Sequence, residues 1–104
     1  MNQYKVIALC GNDKFRKEIL REYDRLTLNG NLVIFPAAFN RPYEKLTSVE
    51  QLLIQRLNYQ KIEMSDEVYI VNKNGYSDEL LKLEIQYAAI LKKPIIYMEK
   101  VHED

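Results

Sequence analysis

Apolar and polar positions along this chain fall into blocks whose period changes from one block to the next. Residues 4–9 (YKVIAL) form a short apolar run with Val and Ile that stops at Gly11, the signature of a strand buried on both faces. Asp13 then stands where it can cap a helix running to about Leu28. Within it Phe15, Ile19, Tyr23 and Leu26 recur at the i, i+4, i+8, i+11 spacing of one packed face, and Asn29-Gly30 is a stop signal. Residues 31–35 (NLVIF) predict a second strand closed by Pro36. Residues 36–46 carry two prolines and no period, and read as a loop. Thr47 and Glu50 make a capping-box pair opening a helix to about Met64. Residues 66–71 (DEVYIV) predict a third strand, 72–77 (NKNGYS) a loop, and 94–99 (PIIYME) a last strand after Lys92-Lys93.

The segment between that loop and the last strand, SDELLKLEIQYAAIL (77–91), reads as a helix with one polar residue in an apolar place. At about 100° per residue, Leu80, Leu81, Glu84, Ala88 and Leu91 share a stripe, with Glu84 near its middle. Removing a carboxylate from water costs several kcal/mol unless it is paired, so Glu84 calls for a reason.

Strands alternating with helices through short connections imply right-handed crossovers and a parallel sheet covered on both faces. The expected architecture is α/β, a three-layer α/β/α domain with a four-stranded parallel sheet in order 2-1-3-4, Rossmann-like or flavodoxin-like. In such a sheet ligands sit at the carboxyl ends of the strands where the order reverses, here between strands 1 and 3. The loops at that place are 10–14 (CGNDK) and 72–77, each leading into a helix N-terminus, which favours anions.

Composition narrows the picture. The 104 residues suit a single domain over 1–104, with 99–104 expected as a frayed tail. Fifteen basic residues balance fifteen acidic ones, which argues against a surface for polymeric nucleic acid. One cysteine, Cys10, allows no internal disulfide. The N-terminus lacks the length and cleavage site of a signal peptide, and no apolar stretch approaches the roughly 18 residues of a membrane span. A cytoplasmic protein with no membrane partner is expected. His102 lies in the tail and Cys10 has no histidine near it in sequence, so metal binding and Ser/His or Cys/His chemistry are not expected, nor is any cofactor.

Candidate chemistry then gathers at the two loops. Gly11 would allow close approach of backbone to a ligand, although one glycine is neither a dinucleotide fingerprint nor a P-loop. Lys14 and Arg16 stand at a helix start where they would meet a phosphate, and Tyr76, among Gly75 and Ser77, is placed to stack on a base. Asp78 opens the last helix, where an acidic residue complements the dipole, and Asp66 opens the third strand, where it reads as a turn residue.

The series KVIALCGNDKFRKEI, KIEMSDEVYIVN and GYSDELLKLEIQYAAILKKPIIY resembles the nucleoside 2-deoxyribosyltransferase-like superfamily, including its deoxynucleotide N-hydrolase branch, over about residues 4–98. Its most specific part is Glu84-Ile85-x-Tyr87-Ala88 followed by Lys93-Pro94 and a strand. The resemblance implies that Glu84 is a nucleophile attacking the anomeric carbon of a nucleoside or its monophosphate, with transfer or hydrolysis to follow. It implies that Asp66 and Asp78 assist, that Gly11, Asn12 and Lys14 approach the sugar 5′ end, and that the chain forms a homodimer or higher homo-oligomer. Asn12-Asp13-Lys14 replaces the Ser-Thr-Arg common in that family, and Leu80-Leu81 replaces small and hydroxyl residues. These departures keep open a catalytically inactive nucleotide-binding module, or a purely structural domain in which Glu84 pairs with a cation.

Overall fold

A computed structural model describes residues 3–36 and 41–101. Four strands, β1 (Val6–Cys10), β2 (Leu32–Ile34), β3 (Glu67–Ile70) and β4 (Ile95–Tyr97), alternate with three helices, α1 (Arg16–Leu28), α2 (Ser48–Met64) and α3 (Glu79–Ile90). All three strand pairings are parallel and the order is β2-β1-β3-β4. The expected α/β architecture is therefore the observed one. In register, Ala8 stands between Ile34 and Val68, and Cys10 opposite Ile70.

Alternation along the strands divides the core into two layers. Ile7, Leu9, Tyr69 and Val71 meet Ile19 and Leu26 of α1 on one face of the sheet. Ala8, Cys10, Val68 and Ile70 meet Ile62 of α2 with Leu81 and Ala88 of α3 on the other. The predicted α1 face packs as its spacing requires, with Phe15 and Tyr23 completing it. That layer also contains Glu22, buried between Arg25 and Tyr69: the Tyr69 hydroxyl donates to Oε1 of Glu22, and Arg25 Nη2 donates to the same oxygen at 3.2 Å and to the tyrosine oxygen at 3.2 Å. Burial works to raise the Glu22 carboxyl, but these two donors and the Arg25 and Arg21 charges outweigh it and hold it below the usual range.

Local signals explain the boundaries. The Thr47–Glu50 capping box forms in full, with Thr47 Oγ1 accepting from Glu50 N–H and Glu50 Oε1 accepting from Thr47 N–H. Before α1, the cap is Asn12 and not Asp13: Asn12 Oδ1 accepts from Lys14 N–H and a 3-10 turn over Asp13–Phe15 leads into the helix. A one-residue shift suffices, because Gly11 lets the chain leave β1 close under α1. A Cβ there would meet Val71 Cβ at 3.1 Å and Ile19 Cδ1 at 3.2 Å. At the far end of α2, Lys93 Nζ donates to the carbonyls of Glu63 at 3.2 Å and Ser65 at 2.8 Å, two oxygens the helix leaves without an internal partner. Glu99, assigned above to a frayed tail, is instead bracketed: its N–H donates to Asn72 Oδ1 and its carbonyl accepts from Asn72 Nδ2. His102 and the rest of the expected tail lie outside the described residues. Among the described residues, no helix is long and apolar enough to cross a membrane.

Candidate functional site

The carboxyl end of β1, the start of α3, the middle of α2 and the loop before α2 enclose a cavity of about 290 Å³, at the lower end of the roughly 300–1,000 Å³ of small-molecule sites. It lies where the strand order reverses, on the α2/α3 side of the sheet.

Glu84 sits at its wall. It lies one turn after Leu81 and one turn before Ala88, both buried against the sheet, and is itself only 5% exposed. The stripe holds through Ala88; Leu91, its expected last member, caps the helix and is exposed. Asn58 Nδ2 of α2 donates to Glu84 Oε1 at 3.1 Å, and the Cys10 side chain of β1 lines the same cavity and favours the charged form of this carboxylate. Glu84 thus accepts from an amide inside the cavity, and no ion pair ties it to a lysine or arginine among the described residues. Burial, with the Asp78 charge adding to it, pushes the Glu84 carboxyl up to about 7, although Cys10, Lys61 and Asn58 each favour the charged form. Burial and the same carboxylate push the Cys10 thiol well above its ordinary range, which disfavours a thiolate there.

Asp78 does three things at once. It caps α3, Oδ1 accepting from Leu81 N–H at 2.8 Å. Its Oδ2 accepts from Asn12 Nδ2 at 2.9 Å and from the Tyr76 hydroxyl at 3.2 Å, tying the two loops at the switch point together. Both oxygens also belong to a residue lining the cavity. The Tyr76 ring carries Lys14 Nζ 4.0 Å from its centroid and stands edge-on to Phe15 at 5.0 Å.

Of the residues singled out from sequence, Glu84, Asp78, Gly11, Asn12 and Tyr76 line the cavity together. Lys14 reaches its mouth only through Tyr76. Gly75 closes the 3-10 turn over Lys73–Gly75 with a positive φ of 73°, and both it and Ser77 are exposed outside the lining. Asp66 is at the opposite end of the sheet. Its N–H donates to Val6 carbonyl at 2.7 Å and its Oδ2 accepts from Val6 N–H at 2.8 Å, so it extends the β1–β3 ladder by one rung and is kept from the cavity by the length of the strand.

Sequence reasoning missed Cys10, Asn58 and Lys61. Cys10 has no histidine near it in sequence, yet its strand parity with Ala8 turns it toward α2 and α3. Asn58 and Lys61 are three apart on the cavity side of α2. Lys61 Nζ donates to the Phe35 carbonyl at 2.9 Å, and burial lowers its pKa. Among the described residues, no group of three His, Cys, Asp or Glu side chains converges as metal ligands. No family model, no curated protein and no solved structure matches the chain.

Proposed function

We propose that the chain acts on the N-glycosidic bond of a (deoxy)nucleoside or its monophosphate, with Glu84 as the nucleophile. One observation carries this reading: a carboxylate, at energetic cost, is held inside a ligand-sized cavity at the sheet's switch point, with Asn58 donating to it. The sequence resemblance supports the same role for the same residue. Ionised Glu84 attacks the anomeric carbon, the bond to the base breaks with its electron pair going to the base nitrogen, and that nitrogen takes up a proton. Water then opens the sugar ester, giving free sugar and restoring the carboxylate, or a second base displaces it with loss of a proton. A carboxylate facing an oxocarbenium-like centre is the logic of retaining glycoside cleavage.

The test is base release or base exchange across a panel of nucleosides and monophosphates, followed by chromatography. Glu84→Gln is expected to lower the rate by about 10³-fold or more, as loss of a nucleophile does, and mass spectrometry should find a sugar adduct on the wild-type chain alone. Turnover unchanged in Glu84→Gln would remove the reading. A second reading, an inactive nucleotide-binding module, is favoured by Asp78, whose two oxygens are already engaged, and by Asp66 standing at the far end of the sheet. Its mark is a nucleoside-dependent rise in melting temperature with no base released.

A further inference from the structure

The electrostatics of the cavity bear on which substrate it takes. Among the described residues lining it, Asp13, Glu44, Asp78, Glu79 and Glu84 are acidic, and only Arg41 and Lys61 are basic. Both cations are engaged already: Lys61 Nζ donates to the Phe35 carbonyl at 2.9 Å, and Arg41 pairs with Glu50 at 3.7 Å. Lys14, the nearest candidate at the mouth, lies over the Tyr76 ring. The helix end that an anion would normally occupy is filled as well. The α3 N-terminus directs its Leu81 N–H to the carboxylate of Asp78, and Asn12 and Tyr76 spend their donors on the same group. A resident carboxylate stands where a phosphate would have to bind.

The Tyr76 hydroxyl reports the resulting potential. Burial raises its pKa first, and the charges of Asp78, Glu44 and Asp13 raise it further. A phosphate entering here would meet five wall carboxylates against two cations that already face protein oxygens.

We infer that the cavity selects an uncharged nucleoside and rejects the corresponding 5′-monophosphate. The inference rests on the nucleoside-site reading above and narrows it to one class of ligand. Selectivity comes from repulsion, because five wall carboxylates oppose a phosphate and the two wall cations are already turned to protein oxygens. Two consequences separate this from simple lack of contact. Salt should weaken the discrimination by screening the wall charges. Reversing an exposed wall charge should weaken it as well.

The experiment is calorimetric or fluorescence titration of the whole chain with the four common 2′-deoxynucleosides and their 5′-monophosphates, run beside a base-release assay. At least one nucleoside is expected to bind ten-fold or more tightly than its own monophosphate. That ratio should fall in roughly 0.5 M salt and in Glu44→Lys and Glu79→Lys, whose side chains are exposed. A monophosphate binding as tightly as its nucleoside overturns the inference, and if it also releases base the catalytic reading stands without it. Preferred nucleoside binding with no base released upholds the inference and removes the catalytic reading. No binding of any of the eight overturns both.

Discussion

Glu84 concentrates the energetics of the molecule in one side chain. Its carboxyl rises from an ordinary 4.5 to about 7 because the cavity wall removes it from water. A carboxyl that holds its proton more tightly when folded adds stability below about pH 4.5. That contribution disappears as pH rises from there to about 7, since the unfolded chain ionises first. The difference is on the order of 3 kcal/mol. Glu84→Gln is therefore expected to melt at a higher temperature than the wild type at pH 8, with the gap closing near pH 4.5; calorimetry at the two pH values checks it. A gain in stability on removing a proposed nucleophile is what a site held at a cost to the fold should show. Cys10 acts on the same titration. Its thiol favours the charged form of Glu84, so Cys10→Ala should move the Glu84 midpoint upward and Cys10→Ser should leave it near the wild-type value. The ¹³C resonance of the labelled carboxyl, followed against pH, reads this directly and without any substrate.

At the scale of elements, what the sequence made legible and what it hid both have physical reasons. The strands and the α1 face were readable because apolar side chains there must meet the sheet, and the capping box at Thr47 because its two residue types have few other uses. The inward face of α2 was not readable. Val49, Leu53, Leu57 and Met64 point outward, while Asn58 and Lys61 point into the cavity, so the periodic contrast that reveals a packed face is missing. Asn58 and Lys61, two polar members of the cavity lining, were invisible for that reason. The β1–α1 turn illustrates a tight fit that spacing cannot predict. Gly11→Ala would drive a methyl to 3.1 Å from Val71 Cβ and 3.2 Å from Ile19 Cδ1. The Val71 Cβ is fixed to the backbone just beyond β3 and cannot swing aside, so a loss of about 1–3 kcal/mol is expected in denaturant melts.

For the whole molecule, the order β2-β1-β3-β4 decides where chemistry can occur, and the alternation of strands with helices was enough to anticipate it. Asp66 shows how position overrides residue type: an acidic group matched by the resemblance to a functional role lies at the strand end remote from the cavity, bonded to Val6. The sheet also insulates its two sides. Glu22→Ala would leave the Tyr69 hydroxyl and the Arg25 guanidinium without their shared partner in the α1 layer, at a cost of about 1–3 kcal/mol. The Glu84 titration, on the opposite face, should not move, because separated groups with no common partner contribute independently; the same carboxyl resonance measures it. A practical matter follows from Lys93, whose ammonium spans the last carbonyls of α2 from the turn before β4. Reductive dimethylation, a routine treatment for coaxing reluctant proteins into crystals, keeps the charge but leaves one N–H where two carbonyls are waiting. Treated material would loosen where the second helix hands over to the third strand, and its stability should not be taken for that of the native chain.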